Sequence, residues 1–214
     1  MHLDAIQTFA FVVVMACWFS FAFIFLLRKK PPKSASAKRA PASWWGIAMQ
    51  GMAYGAVFNC RRDLVLRQFA LPHNLQDVLS LAAIPLAMAS TWLTMSAVRT
   101  LGKQWSVSAR LTRDHQLIVA GAYSHMRHPI YAAMLGLLVA TGLVNVAWPV
   151  LLAAVVLFSL GTAIRIHIEE KLLRGAFGDD FDAYTRYVPA ILPRLRVTGP
   201  RRSLFAICDS PCSS

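Results

Sequence analysis

Hydrophobic and polar residues follow one another along this chain in long blocks. Four stretches carry no charged residue, at positions 5–27, 40–60, 78–98 and 129–164. A helix needs roughly 20 apolar residues to cross the hydrocarbon of a bilayer. Each of the first three stretches therefore predicts one membrane-spanning helix, although Gln50 and several glycines also leave the second open to a re-entrant or interfacial position.

The fourth stretch is too long for one span, because about 36 residues would make a helix of roughly 54 Å. The sequence "GLVNVAWP" at its middle predicts a helical hairpin that turns near residues 145–148. Its arms, 129–145 and 149–165, are equally long and return to the same depth. The sequence predicts an all-α, polytopic integral membrane protein with about five transmembrane helices, including this C-terminal hairpin.

Basic residues divide unequally between the two sides of this arrangement. Of the 22 Lys and Arg, all but Arg61, Arg62 and Arg67 fall on one side. The positive-inside rule then predicts an N-terminus outside and a C-terminus in the cytosol, and we expect a bacterial inner membrane. Orientation and attraction to anionic lipids account for the net charge of +12, so we expect no nucleic-acid partner.

Other patterns limit the remaining possibilities. Asp4 and the lack of a basic residue before the first apolar stretch favour a retained anchor over a signal peptide. The four cysteines form no CxxC pair or His-Cys cluster, so no metal site is expected. We expect a basic loop at 28–43 and a flexible tail at 198–214.

Equal hairpin arms bring two polar clusters to the same membrane surface. Each cluster has a structural interpretation of its own: cations at a span boundary often contact headgroups, and Arg165 with Glu169 is spaced as a helical ion pair. Together they offer both signs of charge to a zwitterionic ligand beside the N-terminus of a helix. The residues expected to meet are Arg127, His128 and Tyr131 with Arg165, Glu169 and Glu170.

Two blocks in this region carry a family resemblance. The run "HQLIVAGAYSHMRHPIY" and, after the hairpin, "RIHIEEKLLRGAFGDDFDAYTRYVPAILP" agree with the family pattern in order and spacing. The region they delimit, 115–193, resembles the isoprenylcysteine carboxyl methyltransferase family and its relatives among the phospholipid N-methyltransferases. The resemblance implies an S-adenosylmethionine-dependent methyltransferase with a cytosolic cofactor pocket and a lipophilic acceptor that enters from the membrane lipid.

The resemblance also implies a division of the chain and a set of site residues. Residues 1–100 would be a transmembrane scaffold and 101–197 the catalytic region, with the hairpin at 129–168 and a segment at 177–187 that acts as a lid or rests in the interface. Arg165 and Glu170 would be catalytic, and Arg165 would also bind the acceptor carboxylate. The residues implied to bind the cofactor are His115, Gly121, Tyr123, Arg127, His128, Pro129, Tyr131, Glu169 and Glu170.

The natural acceptor stays open at this point. Carboxyl methylation of a prenylated cysteine needs positioning more than a base, whereas an amine acceptor such as a phospholipid needs one, for which His128 and His167 are candidates. Two other classes remain alternatives: a steroid-reductase-like membrane enzyme that uses NADPH, and a scaffold without catalytic activity.

Overall fold

The computed structural model describes residues 5–26, 43–60, 71–102 and 117–191. These residues form six α-helices and one short 3-10 helix, Gly121–Ser124, and contain no strand, which confirms the all-helical prediction. The helices are α1 (Ala5–Leu26), α2 (Ser43–Asn59), α3 (His73–Leu101), α4 (Pro129–Asn145), α5 (Trp148–Phe177) and α6 (Asp179–Tyr187).

Three of these helices are long and apolar enough to cross a membrane. They are α1, α3 and α5, with 22, 29 and 30 residues, and they make the chain an integral membrane protein. Helices α2 and α4 have 17 residues each, or about 26 Å, slightly less than the roughly 30 Å of bilayer hydrocarbon. The count of five spans and the orientation of the termini therefore stay predictions.

Helices α4 and α5 form the predicted hairpin. Helix α4 ends at Asn145 and α5 begins at Trp148, with Pro149 in its first turn, where a missing N–H costs nothing. The Asn145 amide donates to the Val57 carbonyl at 2.8 Å and so attaches the turn to the end of α2. Helix α5 continues to Phe177, well beyond the expected end of the arm at residue 165.

The two hairpin arms pack mainly on different partners. Helix α4 packs on α3, whereas α5 packs on α2. One apolar cluster joins α1, α3 and α4 through Val14, Cys17, Ala83, Ala87, Leu137 and Ala140. A second joins α2, α4 and α5 through Ala53, Val57, Leu138, Val146, Ala154 and Phe158.

The amphipathic helix α6 closes the fold at the far end of α5. It begins after Gly178, whose φ of 51° lies in the left-handed region. Phe181, Tyr184 and Val188 are buried there against an apolar group formed by Leu117, Val119, Leu173 and Phe177. His115, the tail at 198–214 and nearly all of the loop at 28–43 lie outside the described residues.

Candidate active site

The start of α4 and the last part of α5 meet through ionic contacts. Arg127 donates from Nε to Oε1 of Glu170 at 2.9 Å, and its Nη2 lies 2.9 Å from the same oxygen as an ion pair. His128 places Nε2 at 3.2 Å from the same oxygen and Nδ1 at 3.7 Å from Oε2 of Glu169. The meeting of these two sequence blocks, expected from equal hairpin arms, is confirmed by these distances.

Tyr131 continues this network toward Arg165. Its hydroxyl accepts a hydrogen bond from Arg165 Nε at 2.8 Å and donates one to Oε1 of Glu169. The Arg165 guanidinium carbon lies 5.2 Å from the centre of the Tyr131 ring, and its Nη2 lies 3.5 Å from Oε1 of Glu169. Two arginines thus stand at the ends of a connected row with two carboxylates between them, an arrangement in which every charge has an opposite neighbour.

Arg127 also binds the last turn of α6 and the segment that follows it. Its Nη1 donates to the carbonyl oxygens of Thr185, at 3.2 Å, and of Val188. The backbone N–H groups of Arg127 and His128 donate to the carbonyls of Pro189 and Ala190, both at 2.9 Å. Arg127 and His128, which the resemblance implies bind the cofactor, therefore use these nitrogens to bind the protein itself.

A pocket of about 300 Å³ lies beside this network. Glu170 and His167 stand at one end, and Leu135 and Phe158 give the other end an apolar wall. Its other lining residues are Tyr131, Ser159, Thr162, Ala163, Ile166 and Ile191. Of the implied site residues, the pocket lining contains Tyr131 and Glu170.

Several other implied residues have structural contacts instead. Gly121 has a φ of +58°, and a Cβ there would lie 2.6 Å from Thr100 Oγ1, so glycine permits both the turn and its contact with α3. The Tyr123 carbonyl accepts a hydrogen bond from the Tyr184 hydroxyl at 2.6 Å. Pro129 is buried in the first turn of α4, and Arg165 is 7% exposed behind Tyr131.

Tyr123 and Tyr184 remain neutral in this environment. Burial, and then the neighbouring Tyr184 and Glu169, raise the pKa of Tyr123 above its ordinary value. Burial also raises the pKa of Tyr184. Arg127 lowers this pKa and Glu170 raises it, but both effects are smaller than that of burial. Tyr184 therefore stays a hydrogen-bond donor that holds α6 against the 3-10 helix.

Sequence reasoning missed most of the pocket wall on α5. Residues 158, 159, 162, 163, 166, 167 and 170 all line the pocket, and they follow the spacing of one helix face. Extending the Glu170 face back along the helix by steps of three and four residues would have found them.

Across 5–26, 43–60, 71–102 and 117–191, no three His, Cys, Asp or Glu side chains form a group that could hold a metal ion.

A comparison with protein families matches the part of the chain that contains the ionic network. Residues 83–175 match the model of the isoprenylcysteine carboxyl methyltransferase (ICMT) family. The chain is 28% identical over 155 residues to the "Protein-S-isoprenylcysteine O-methyltransferase" of Schizosaccharomyces pombe, which covers 67% of this chain and 60% of that protein.

Two further relatives are named as metal-resistance proteins. The chain is 31% identical over 114 residues to the "Cobalt-zinc-cadmium resistance protein CzcN" of Cupriavidus metallidurans, covering 52% of this chain and 51% of that one. It is 29% identical over 133 residues to the "Nickel-cobalt-cadmium resistance protein NccN" of Alcaligenes xylosoxydans xylosoxydans, covering 62% and 61%. The chain spans about half to three fifths of the length of these curated relatives.

The family match begins within α3 and ends near the end of α5. It contains both halves of the ionic network, from Arg127 and His128 to Glu169 and Glu170. The family match and the S. pombe relative together support the isoprenylcysteine carboxyl methyltransferase family for this chain.

Proposed function

We propose that this protein is an S-adenosylmethionine-dependent membrane methyltransferase that methylates the carboxylate of a lipophilic, isoprenylcysteine-like acceptor. The observation that carries the proposal is the position of Glu170. Its carboxylate stands at the polar end of a pocket whose other end is apolar, inside the region that the family model matches.

The residues present fit this cofactor. S-adenosylmethionine carries a sulfonium and an ammonium, and carboxylates and aromatic rings are the protein groups that attract such cations. Glu170 and Tyr131 supply one of each to the pocket lining. Arg127 and His128 contact Oε1 of Glu170, whereas Oε2 accepts no hydrogen bond from the part of the chain that the structure describes. The pocket volume is at the lower end of the range for small-molecule sites.

The contacts suggest separate tasks for the residues of the network. Glu170 and Tyr131 would contact the cofactor, and His128 with Arg127 would keep the Glu170 carboxylate ionised and fixed. Arg165 would act as a positioning residue, since its guanidinium binds Tyr131 and Glu169 and lies outside the pocket lining. An acceptor clamp at Arg165 would require the guanidinium to leave these partners.

The apolar end of the pocket suits the acceptor. Leu135 and Phe158 offer hydrocarbon contact for a prenyl group. The cofactor would supply a methyl group on a sulfonium. Attack of a carboxylate oxygen on that methyl group would release the sulfur as a neutral thioether, and no proton would move. The chain then needs to align and desolvate the two reactants rather than to supply a base.

A phospholipid amine is the second candidate acceptor, because His167 lines the pocket. An amine must lose a proton to become a nucleophile, and a histidine is the side chain most often used for that transfer. The family match favours the carboxylate, and it also favours methyl transfer over the NADPH-dependent reductase and the inert scaffold.

Transfer of radiolabel from S-adenosylmethionine tests the proposal. We would offer purified protein in detergent a farnesylcysteine analogue, phosphatidylethanolamine and a lipid extract, and determine the linkage of the label. We expect a base-labile ester on the farnesylcysteine. Calorimetry that finds NADPH binding without S-adenosylmethionine binding would overturn the enzyme class, and label on an amine nitrogen would overturn the acceptor.

We also propose an N-terminus outside and a C-terminus in the cytosol of a bacterial inner membrane. Three long apolar helices support membrane insertion, and the distribution of cations supports the orientation. Single cysteines introduced between positions 103 and 116 should react with a membrane-impermeant reagent only from the cytosolic side. Reaction from the other side would show that α2 does not cross, because losing that span inverts the orientation of every later helix.

A further inference from the structure

A buried polar pair connects α2 to the pocket wall. Gln50 Nε2 donates a hydrogen bond to Thr162 Oγ1 at 2.8 Å, and the two residues are only 3% and 2% exposed. Placing an amide inside an apolar helix bundle costs free energy unless the amide is hydrogen-bonded, so Gln50 is held to this partner. Thr162 also lines the pocket, and it therefore connects a scaffold helix to the site.

The Thr162 hydroxyl differs from those of four other threonines in the described helices. The hydroxyls of Thr91, Thr94, Thr100 and Thr141 each donate to the carbonyl four residues earlier, at 2.7 to 3.0 Å. Within the described ranges, Thr162 accepts from Gln50 but donates to no residue. A hydroxyl has one proton to donate, and burial makes an unused donor costly. Because Thr162 lines the pocket, its hydroxyl proton is available to a ligand there.

We infer that the Thr162 hydroxyl, oriented by Gln50, donates a hydrogen bond to the carboxylate of the methyl acceptor. This inference rests on the proposed function and adds a substrate-recognition pair to it. Thr162 lies eight residues, about 12 Å along the helix, from Glu170. It stands toward Phe158, at the end of the pocket assigned to the acceptor.

A hydroxyl donor discriminates between acceptor classes. A carboxylate has two oxygens, so one can accept from Thr162 while the other attacks the methyl group. A protonated or quaternary amine has no lone pair for this bond. The pair would therefore favour acidic acceptors, because an acceptor without the carboxylate leaves the hydroxyl unpaired.

Two glycines allow α2 to approach closely enough for this contact. A Cβ on Gly46 would lie 2.6 Å from the Gly161 carbonyl oxygen, and a Cβ on Gly161 would lie 2.8 Å from the Gly46 carbonyl oxygen. Gly46 and Gly161 precede Gln50 and Thr162 by four residues and one residue, respectively. The small-residue contact therefore sets the distance between α2 and α5 where the Gln50 amide reaches the Thr162 hydroxyl.

The test compares two ligands that differ in the carboxylate. Binding of N-acetyl-S-farnesylcysteine and of its decarboxylated analogue, N-acetyl-S-farnesylcysteamine, is measured by calorimetry on the full chain in detergent. We expect the wild type to prefer the acid. Thr162→Val should lower that preference about 10- to 100-fold, the usual effect of losing a hydrogen bond to a charged group.

Three further variants make the result specific. Thr162→Ser keeps the hydroxyl and should keep the preference. Thr94→Val is the matched control, because Thr94 is also buried but binds only the carbonyl of Ser90 in its own helix. The double variant Gln50→Leu with Thr162→Val removes both polar partners, so it leaves no buried amide unpaired and should fold even where Thr162→Val does not.

The outcomes separate this inference from the proposed function. Retention of the acid preference in both variants that lack the hydroxyl would overturn the inference, and so would a loss of S-adenosylmethionine affinity with the acid preference unchanged. A wild type that binds no S-adenosylmethionine and transfers no methyl group would overturn the proposed function. The preference between the two farnesyl ligands would still judge Thr162, since it is measured without cofactor.

Discussion

Helix α3 and the last part of α5 use polar side chains in opposite ways. On α3, Ser90 and Thr94 donate to carbonyls one turn earlier in the same helix, at 2.8 and 3.0 Å. On α5, Thr162 accepts a hydrogen bond from α2, and Arg165 and Glu169 each form a hydrogen bond with Tyr131 on α4. A hydroxyl that bonds within its own helix is satisfied before any packing occurs, whereas one that bonds across helices depends on their spacing.

This difference separates the scaffold from the site. The cluster of α1, α3 and α4 is apolar and contains small residues such as Ala83 and Ala87. The contact of α2 with α5 contains a buried amide, a buried guanidinium and two glycines, and it adjoins the pocket. We therefore expect substitutions in the α2–α5 contact to alter ligand binding, and similar substitutions in the α3–α4 contact to alter stability alone.

The largest expected effect is that of Glu170→Gln. The amide keeps the shape of the side chain but removes the charge, which leaves Arg127 and His128 facing a neutral group and removes the proposed partner of the cofactor cation. We expect S-adenosylmethionine to bind about 100-fold more weakly or worse, as measured by calorimetry. His128→Ala should act in the same direction.

Asp182→Asn is the control for charge loss. Asp182 pairs with Arg174 at 2.7 Å, but both side chains are about half exposed, and such pairs contribute at most about 1 kcal/mol. Its cofactor affinity should equal that of the wild type. Normal S-adenosylmethionine binding by Glu170→Gln would show that this network is not the cofactor site.

Gly46→Ala should have the next largest effect. The added methyl group would meet Arg165 Cγ at 2.5 Å and the Gly161 carbonyl at 2.6 Å, and a backbone carbonyl cannot rotate away. Overpacking of this kind costs about 1–3 kcal/mol, and here the displaced side chain holds Tyr131. We expect a lower melting temperature together with weaker binding of S-adenosylmethionine.

Gly55→Ala is the matched substitution on the same helix. A Cβ at residue 55 meets nothing within 4 Å, so the gain in helix propensity should dominate. Its melting temperature should equal or exceed that of the wild type, with unchanged cofactor affinity. Equal behaviour of the two alanine variants would show that α2 does not position the site.

These contrasts show how far the sequence predicts the structure. The meeting of Arg127 and His128 with Glu170 followed from equal hairpin arms, because helix rise is constant. The binding of Arg127 to carbonyls at the end of α6 could not be predicted in this way, because no local sequence pattern shows where the chain after α5 folds back. Gln50 and the glycines of α2 were interpreted as weakening a span, whereas a small residue and a polar residue one turn apart also indicate a helix contact within a membrane.

The smallest expected effect is that of Gly136→Ala, the scaffold counterpart of Gly46→Ala. A Cβ at Gly136 would overlap the Ser90 hydroxyl, but that hydroxyl can rotate to another rotamer at the cost of its bond to Leu86. The loss is about 1 kcal/mol and is offset by a similar gain in helix propensity. We expect the melting temperature to change by a few degrees at most and S-adenosylmethionine affinity to stay at the wild-type value. A loss of affinity comparable to that of Gly46→Ala would mean that the α3–α4 contact positions the ligand as well, because α4 carries Tyr131 into the pocket.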